Sequence, residues 1–255
     1  MSENDSSPGS TSPTMTNGLN GRRVHCTDPQ QTFHVIEEAV LGLWNVVDDL
    51  SSVYPPKPDY YRVTIFGSAR IRPGDVLYED VRRLAAALAN IGCDIVTGGG
   101  PGLMQAANEG EKIGDVENLT RSIGLRVELA FEQAPNPFLE KLYRHRTFFS
   151  RLHHFVRLSS AFVVVPGGIG TTLELMLIWQ LLQVRHVADT PLVLVGPMWK
   201  DLVEWARSHM LGGSVSLVDP KDVGIPICVN NVDEAIAILT EHKRRWDASL
   251  ASGPC

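Results

Sequence analysis

One stretch of the sequence indicates the fold of this chain. It runs Val163-Val164-Val165-Pro166-Gly167-Gly168-Ile169-Gly170-Thr171-Thr172-Leu173-Glu174. Its three valines predict a buried strand, which ends at a proline and continues into a glycine-rich turn. The residues after the turn predict a helix, so uncovered backbone N–H groups lie at the positive end of a helix dipole. The stretch therefore predicts an anion-binding site, with the carboxylate of Glu174 one turn into the helix.

Short apolar runs alternate with helical patterns along most of the chain. The runs that predict strands are residues 62–66, 94–97, 122–127, 142–147, 161–165, 191–196 and 226–229. Strict alternation of strand and helix predicts a parallel sheet that is covered by helices on both faces. We therefore predict a Rossmann-like, doubly wound α/β fold with a mostly parallel sheet of about seven strands.

The composition changes twice before the first predicted strand. Residues 1–30 are rich in Ser, Thr, Asn, Gly and Pro, and their few apolar side chains predict a disordered tail. Residues 31–59 combine an amphipathic helix, from Phe33 to Leu50, with a proline-rich linker. Residues 60–250 are expected to form a single domain.

Composition and charge exclude several classes of function. The net charge is −6, so the chain lacks the basic footprint that is typical of proteins that bind nucleic acid polymers. No apolar run reaches the ~18 residues of a membrane span, and the start of the chain lacks a signal-peptide pattern. The four cysteines are far apart and do not follow zinc-site spacing. We expect a cytoplasmic protein without a metal site and without membrane attachment.

Three predicted turns at the carboxyl ends of strands are rich in glycine: Gly67-Ser68, Gly98–Gly102 and Gly167–Gly170. Ligands of doubly wound sheets bind at this edge, so we expect the three turns to face one crevice. A single glycine in such a turn is often explained by a positive φ, whereas three such turns favour a ligand. The dinucleotide and triphosphate motifs are both incomplete. A mononucleotide or sugar phosphate, held by a helix that begins at Thr171, is therefore expected.

Glu174 has two interpretations at this stage. Thr171 and Glu174 have the spacing of a capping box, in which Thr171 is the N-cap and Glu174 has a structural role. In the alternative, the carboxylate of Glu174 faces the ligand. Arg151 favours this alternative, because it lies in the first turn of a predicted helix, where a cation is unfavourable unless an anion binds beside it.

The pattern P-G-G-x-G-T-x-x-E from Pro166 to Glu174, with Arg151 ahead of it at a helix start, resembles the LOG (LONELY GUY) family. This family comprises cytokinin riboside 5′-monophosphate phosphoribohydrolases and related bacterial proteins, many formerly labelled lysine decarboxylase-like. The turn Phe66-Gly67-Ser68 and the run Gly98–Met104 match in the same order. The resemblance covers about residues 60–245, and the added N-terminal helix is similar to that of the larger bacterial branch.

The resemblance implies that residues 60–250 form one nucleotide-binding domain that hydrolyses an N-glycosidic bond without a cofactor. The implied substrate is a purine nucleoside 5′-monophosphate, with an N6-modified, cytokinin-type purine as one candidate, and the products are free base and ribose 5-phosphate. It also implies a homodimer or a larger homo-oligomer.

The resemblance makes Glu174 and Arg151 the catalytic pair. A carboxylate beside C1′ stabilises an oxocarbenium-like ribose and orients water, whereas a guanidinium stays protonated and serves to hold oxygen atoms of the substrate. Glu132, in a long loop, is expected in the wall of the site. The residues expected to contact the substrate or its phosphate are Gly167, Gly168, Gly170, Thr171, Gly67, Ser68, Gly99 and Gly100.

Two other functions remain open. The family arginine is usually followed by lysine, but Leu152 stands there in this chain, and the lost positive charge favours a non-catalytic carrier or sensor of a nucleotide-like ligand. A general AMP nucleosidase is the other alternative. Decarboxylation is disfavoured, because no lysine lies in a context that suggests a Schiff base with pyridoxal phosphate.

Overall fold

A computed structural model describes residue 30 and residues 33–42, 60–128, 134–187, 190–213 and 215–251. The chain divides into two compact units, Met1–Pro56 and Lys57–Cys255. In the first unit, residues 33–42 form helix α1, inside the predicted helix. The predicted tail, apart from residue 30, and the predicted linker lie outside the described residues.

The second unit alternates strands and helices, as the sequence predicts. Its strands are β1 (Tyr61–Phe66), β2 (Cys93–Thr97), β3 (Ser122–Val127), β4 (Lys141–His145), β5 (Ala161–Val164), β6 (Leu192–Val195) and β7 (Ile227–Val229). Its helices are α2 (Val76–Asn90), α3 (Leu103–Gly114), α4 (Phe148–Leu158), α5 (Ile169–Gln183), α6 (Pro197–Ala206), α7 (Pro220–Val223) and α8 (Val232–Ala251). The sequence did not predict the short helix α7. It predicts one helix from Trp199 to Met210, and in the structure α6 continues through that region as a π-helical turn at Arg207–Leu211.

The seven strands form one sheet in the order β4-β3-β2-β1-β5-β6-β7, and every neighbouring pair is parallel. From β1 the chain first builds the sheet outward to β4, and α4 then brings it back to β5, which pairs with the other side of β1. Strand order therefore reverses between β1 and β5. A crevice is expected at the carboxyl ends of these two strands. The predicted α/β fold is confirmed.

The sheet separates two hydrophobic cores. Val63 and Ile65 of β1 face a core that includes side chains of α2, α3 and α8, whereas Phe66 faces a core with side chains of α4, α5 and α6. Apolar side chains on both faces explain why the central strands read as continuous apolar runs. The β4 edge is different, because Lys141 and Arg144 are exposed there, and charges on an edge strand discourage pairing with another chain.

Backbone hydrogen bonds join the three glycine-rich turns at the carboxyl edge. The Ser68 N–H donates to the Pro166 carbonyl (3.1 Å), which ties the β1 turn to the β5 turn. The Leu103 N–H donates to the Ser68 carbonyl (2.8 Å), which ties the β1 turn to the start of α3. The three turns therefore lie together, as predicted from the sequence.

No helix within the described ranges has both the length and the apolar character that crossing a membrane requires.

The junction of the turns depends on glycine at position 102. Gly102 has a φ of +71°, and a Cβ atom there would overlap the Ser68 carbonyl oxygen that accepts from Leu103. We expect Gly102→Ala to lower the free energy of unfolding by about 3 kcal/mol, because backbone strain and lost contact add. Urea denaturation measures the change.

Gly224→Ala is the matched control, because Gly224 has a φ of −87° and its nearest neighbour would lie at an ordinary 3.4 Å. It should change the free energy of unfolding by less than about 0.5 kcal/mol. Equal effects of the two substitutions would contradict a special role for Gly102.

Candidate active site

An ion pair joins helices α4 and α5 near the crevice. Arg151 Nη1 lies 3.1 Å from Glu174 Oε1, and both side chains are largely withdrawn from solvent. Arg151 stands in the first turn of α4, where Thr147 is the N-cap and its hydroxyl accepts from the Ser150 N–H (3.1 Å). The structure thus brings together the two residues that the sequence reading selected as the catalytic pair.

Two further contacts hold the Arg151 guanidinium. Its Nε donates to the Leu125 carbonyl at the end of β3 (2.8 Å), and its carbon lies 5.0 Å from the centre of the Phe155 ring. A Cβ atom on Gly98 would lie 2.6 Å from Nη2, so glycine is needed there to leave room for the guanidinium. The sequence reading placed Gly98 in a glycine-rich turn but did not identify it or Leu125 as support for Arg151.

Burial strongly perturbs the Glu174 carboxyl group. Only 8% of the residue is exposed, and the resulting loss of hydration raises its pKa to about 7, although the charge and hydrogen bond of Arg151 act in the opposite direction. A carboxyl group with such a pKa exchanges its proton near neutral pH. This property suits a general acid or base.

The capping-box interpretation of Glu174 is wrong. Helix α5 begins at Ile169 with Gly168 as its N-cap, and no side chain caps it. Thr171 is therefore already inside the helix, and Glu174 lies in the second turn, beyond the position from which it could reach back to an N-cap. The helix starts earlier than expected because glycine is itself acceptable at an N-cap and needs no capping side chain.

Packing does not explain two of the three predicted phosphate-contacting glycines at the start of α5. A Cβ atom on Gly168 or Gly170 would meet nothing within 4 Å, and both residues are exposed. Gly167 differs, because a Cβ atom there would collide with the side chain of Thr171, which is buried. The open backbone at the start of α5 is therefore a feature that the fold itself does not require.

Gly67 and Gly99, in the other two turns, have structural explanations. A Cβ atom on Gly67 would lie 3.0 Å from the Leu103 Cβ, and Gly99 has a φ of +69° and lies against Gly124. Ser68 uses its hydroxyl to accept from the Arg70 N–H (3.1 Å). These residues lie at the carboxyl edge of the sheet, where the crevice is expected. Glu132, the expected wall residue, lies outside the described residues.

A buried polar network that the sequence reading missed supports the Gly99-Gly100 turn. Asn136 donates from Nδ2 to the Gly100 carbonyl and to Asn108 Oδ1, both at 3.0 Å, and from its backbone N–H to the Gly99 carbonyl (3.1 Å). Two prolines flank Asn136 in the sequence, which signals a turn. That signal does not reveal which distant loop the side chain contacts.

Comparison with known proteins gives a consistent family match. Residues 104–239 match the family model described as "Possible lysine decarboxylase". Over 141 residues, or 53% of this chain, the sequence is 31% identical to the pyrimidine/purine nucleotide 5′-monophosphate nucleosidase of Escherichia coli (strain K12). The aligned part is only 31% of that relative, so this chain spans about a third of the relative's length.

Solved structures share the fold at low sequence identity. The molybdenum cofactor carrier protein of Chlamydomonas reinhardtii is 19% identical, with a TM-score of 0.54 over 72% of this chain and 99% of that chain. The molybdenum cofactor binding protein of Rippkaea orientalis is 14% identical, with a TM-score of 0.53 over 73% of this chain and 98% of that chain. At these identities the likeness concerns the fold alone.

The raised pKa of Glu174 predicts a pH-dependent contribution to stability. The pKa is about 7 in the folded chain and 4.5 in its ordinary state, so the stabilisation is complete below pH 4.5 and is lost as the pH rises through 7. Between pH 5 and pH 8 the free energy of unfolding of the wild type, relative to Glu174→Gln, should fall by about 2.5 kcal/mol.

Urea denaturation of both proteins across this pH range measures the difference, and other titrating groups cancel in the comparison. If the two stability curves run parallel, the pKa of Glu174 is not raised.

Proposed function

The chain belongs to the possible lysine decarboxylase family, which includes the LOG proteins, and we propose that it hydrolyses the N-glycosidic bond of a nucleoside 5′-monophosphate. The proposed products are the free base and ribose 5-phosphate. The observation that carries the proposal is the buried ion pair of Arg151 and Glu174 beside the open glycine backbone of α5. The 31% identity to a nucleotide 5′-monophosphate nucleosidase supports it.

In this proposal the substrate phosphate binds at the N-terminus of α5. The backbone from Gly167 to Thr171 offers uncovered N–H groups and the positive end of the helix dipole, which together favour a phosphate. Gly168 and Gly170 lack side chains that would block this approach. The nucleotide then lies along the crevice between β1 and β5, past Gly67, Ser68, Gly99 and Gly100, and its ribose faces Glu174.

The reaction breaks the bond between C1′ and the base nitrogen, and the bonding electrons leave with the base. The ribose gains oxocarbenium-like character, which a nearby carboxylate stabilises. Glu174 accepts a proton from water as the water oxygen bonds to C1′, and the departing base takes up a proton. With a pKa of about 7, Glu174 is partly ionised at neutral pH, so it is able to accept this proton and to release it again.

In this scheme Arg151 holds the substrate in position and does not transfer protons. Its guanidinium does not deprotonate in proteins, so it is unsuited to act as a general acid. In the unliganded chain it holds Glu174, and its fixed fork of donors suits paired oxygen atoms of a phosphate or a ribose. The Leu125 carbonyl fixes the orientation of the guanidinium, and the absence of a side chain on Gly98 leaves room for it.

The choice of base is the finer part of the proposal. A purine, including an N6-modified cytokinin-type purine, is the substrate that the resemblance to LOG proteins implies. The name of the E. coli relative covers both pyrimidine and purine nucleotides, so the substrate panel must include both. Decarboxylation receives no support from the site, because a carboxylate and a guanidinium supply no amine for a Schiff base.

A carrier or sensor is the second candidate function. Leu152, in place of the family lysine, removes one positive charge next to Arg151. Structures with the same fold include a protein named as a molybdenum cofactor carrier. A carrier would bind a phosphate-bearing ligand in the same crevice and release it unchanged.

Substitution of the carboxylate separates the two functions. We expect the wild type to release base from at least one of AMP, GMP, CMP, UMP and isopentenyladenosine monophosphate, as measured by chromatography. Glu174→Gln should lower kcat by about 10²- to 10⁴-fold, because it removes the base that activates water. Arg151→Lys should raise KM, because the charge stays but the paired hydrogen bonds are lost.

Glu117→Gln is the matched control, since Glu117 is exposed and lies away from the site, and it should leave kcat unchanged. Calorimetry with each nucleotide accompanies the assay. Ligand binding without any turnover, in the wild type as in Glu174→Gln, would refute the hydrolase and support the carrier.

The surface of α5 supports a homodimer. This helix is apolar on nearly every side, a pattern that is typical of a helix surrounded by protein. In the single chain, however, Ile169, Leu173, Met176 and Val184 are exposed. An apolar groove of about 200 Å³ lies beside Met176 between α5 and α6. We therefore propose that a second copy of the chain covers α5.

A charge on α5 should prevent this association. Leu173 is 52% exposed, and Leu173→Glu would place a charge in the proposed apolar contact. We expect size-exclusion chromatography with light scattering to give a dimer for the wild type and a monomer for Leu173→Glu. Val116, which is 87% exposed in another part of the chain, provides the control substitution Val116→Glu. A monomeric wild type would contradict the proposal.

A further inference from the structure

A polar pocket lies between α4 and the end of the edge strand β4. This pocket, which we call the histidine basin, has a volume of about 400 Å³ and opens to solvent beside the edge strand β4. Its lining residues are His145, Ser150, His153, His154, Arg157 and Leu158. None of these residues takes part in the proposed hydrolysis.

Two histidines form the centre of the basin. His145 Nε2 and His154 Nδ1 are 3.0 Å apart, and their rings meet edge to face with centres 5.1 Å apart. His145 Nδ1 lies 3.2 Å from the Ser150 hydroxyl. The imidazoles are thus held in position by hydrogen bonds.

Hydrogen bonds link the two imidazoles to the start of α4. Ser150 Oγ lies 3.2 Å from both the Thr147 carbonyl oxygen and His145 Nδ1. In the neutral pair, one of the two facing nitrogens, His145 Nε2 or His154 Nδ1, donates and the other accepts. Uptake of a proton adds one N–H donor to the pair.

The permanently charged groups that act on the two imidazoles are all cationic: Arg157 and Lys141 act on His154, and Arg151 acts on His145. The neighbouring rings of His145 and His153 also act on His154. Together with burial, these groups lower the pKa of His154 to about 4 and also lower the pKa of His145.

Among the described residues packed against this part of α4, the acidic neighbour of the histidine pair is Glu128, an exposed residue directly after β3 whose backbone N–H donates to the His145 carbonyl (2.8 Å) and which does not line the basin. Strand β3 contributes the apolar side chains of Ile123 and Leu125 to the core that contains Phe155 of α4, and β4 contributes the Tyr143 ring, which lies edge to face with His154. No acidic residue lines the basin within the described part of the chain.

We propose that the histidine basin is a second binding site, for the phosphate group of a phosphorylated small molecule, and that binding is coupled to uptake of a proton by the histidine pair. The ligand class follows from the donors. Arg157 supplies a fork that suits phosphate oxygens, Lys141 adds a nearby positive charge, and the protonated histidine pair adds an N–H donor. An anion offsets the repulsion that keeps the imidazoles neutral.

A metal ion fits the basin less well. The described residues contain no group of three or more His, Cys, Asp or Glu side chains placed to hold a metal, and the surrounding cations oppose a cationic ligand.

The proposal is tested by NMR detection of the imidazole nitrogens during titration with sulfate. Sulfate stays dianionic between pH 5.5 and pH 7.5, so any pH dependence of binding belongs to the protein. We expect sulfate to shift the signals of His145 and His154, which are assigned through His154→Gln. Affinity should rise as the pH falls, by up to about tenfold per pH unit for one proton taken up. Inorganic phosphate at constant pH should shift the same signals.

Two substitutions that each remove one positive charge distinguish a defined binding site from general electrostatic attraction of sulfate to the surface. Arg157→Gln removes a lining group and should weaken sulfate binding by about tenfold or more. Arg144→Gln removes an exposed charge on β4 that does not line the basin, so it should weaken binding less than about twofold. Both residues are exposed, and unchanged amide spectra verify that the variants fold.

Three results would overturn the proposal: absence of imidazole shifts with sulfate, equal weakening by the two arginine substitutions, or shifts with zinc but not with sulfate. The readout comes from the histidine pair and not from the crevice. It therefore remains decisive whether or not the chain hydrolyses nucleotides.

Discussion

The buried ion pair of Arg151 and Glu174 is the interaction on which the rest of the site depends. Withdrawing two charges from water is costly, and their attraction offsets this cost only when the remaining donors are also satisfied. The Leu125 carbonyl and the Phe155 ring supply such partners for the guanidinium. Even so, the pKa of Glu174 stays raised, so burial outweighs the effect of Arg151. Such a pair is weak evidence for stability, and its position beside the crevice favours a role in chemistry.

The topology of the sheet explains why this pair forms where it does. Helix α4 returns the chain from the β4 edge to β5, and α5 follows β5 directly. The start of each helix therefore lies at the carboxyl edge of the sheet, close to the reversal of strand order. Arg151 and Glu174 lie near the starts of these two consecutive helices. The histidine basin is lined by the same helix, so α4 contributes to two polar sites of different character.

The glycine-rich turns divide into two groups that the sequence does not distinguish. Gly67, Gly98 and Gly99 are required by close packing or by a positive φ, whereas Gly168 and Gly170 face open space. In sequence, all five residues stand in glycine-rich turns after strands. The two groups of glycines differ in which atoms pack against each Cα atom. Some of these atoms belong to residues that are distant in the sequence.

The sequence by itself determined the α/β fold, the seven strands and the clustering of the turns, because apolar periodicity and glycine positions are local properties that a parallel sheet converts into one architecture. It also identified Arg151 and Glu174 through a family motif. Only the tertiary structure decided that α5 begins at Ile169, which removes the capping box, and that the two side chains meet in a buried pair. The support from Asn136 likewise required the folded chain. Helix starts and side-chain partners depend on atoms that folding brings together from distant segments, and no local pattern contains them.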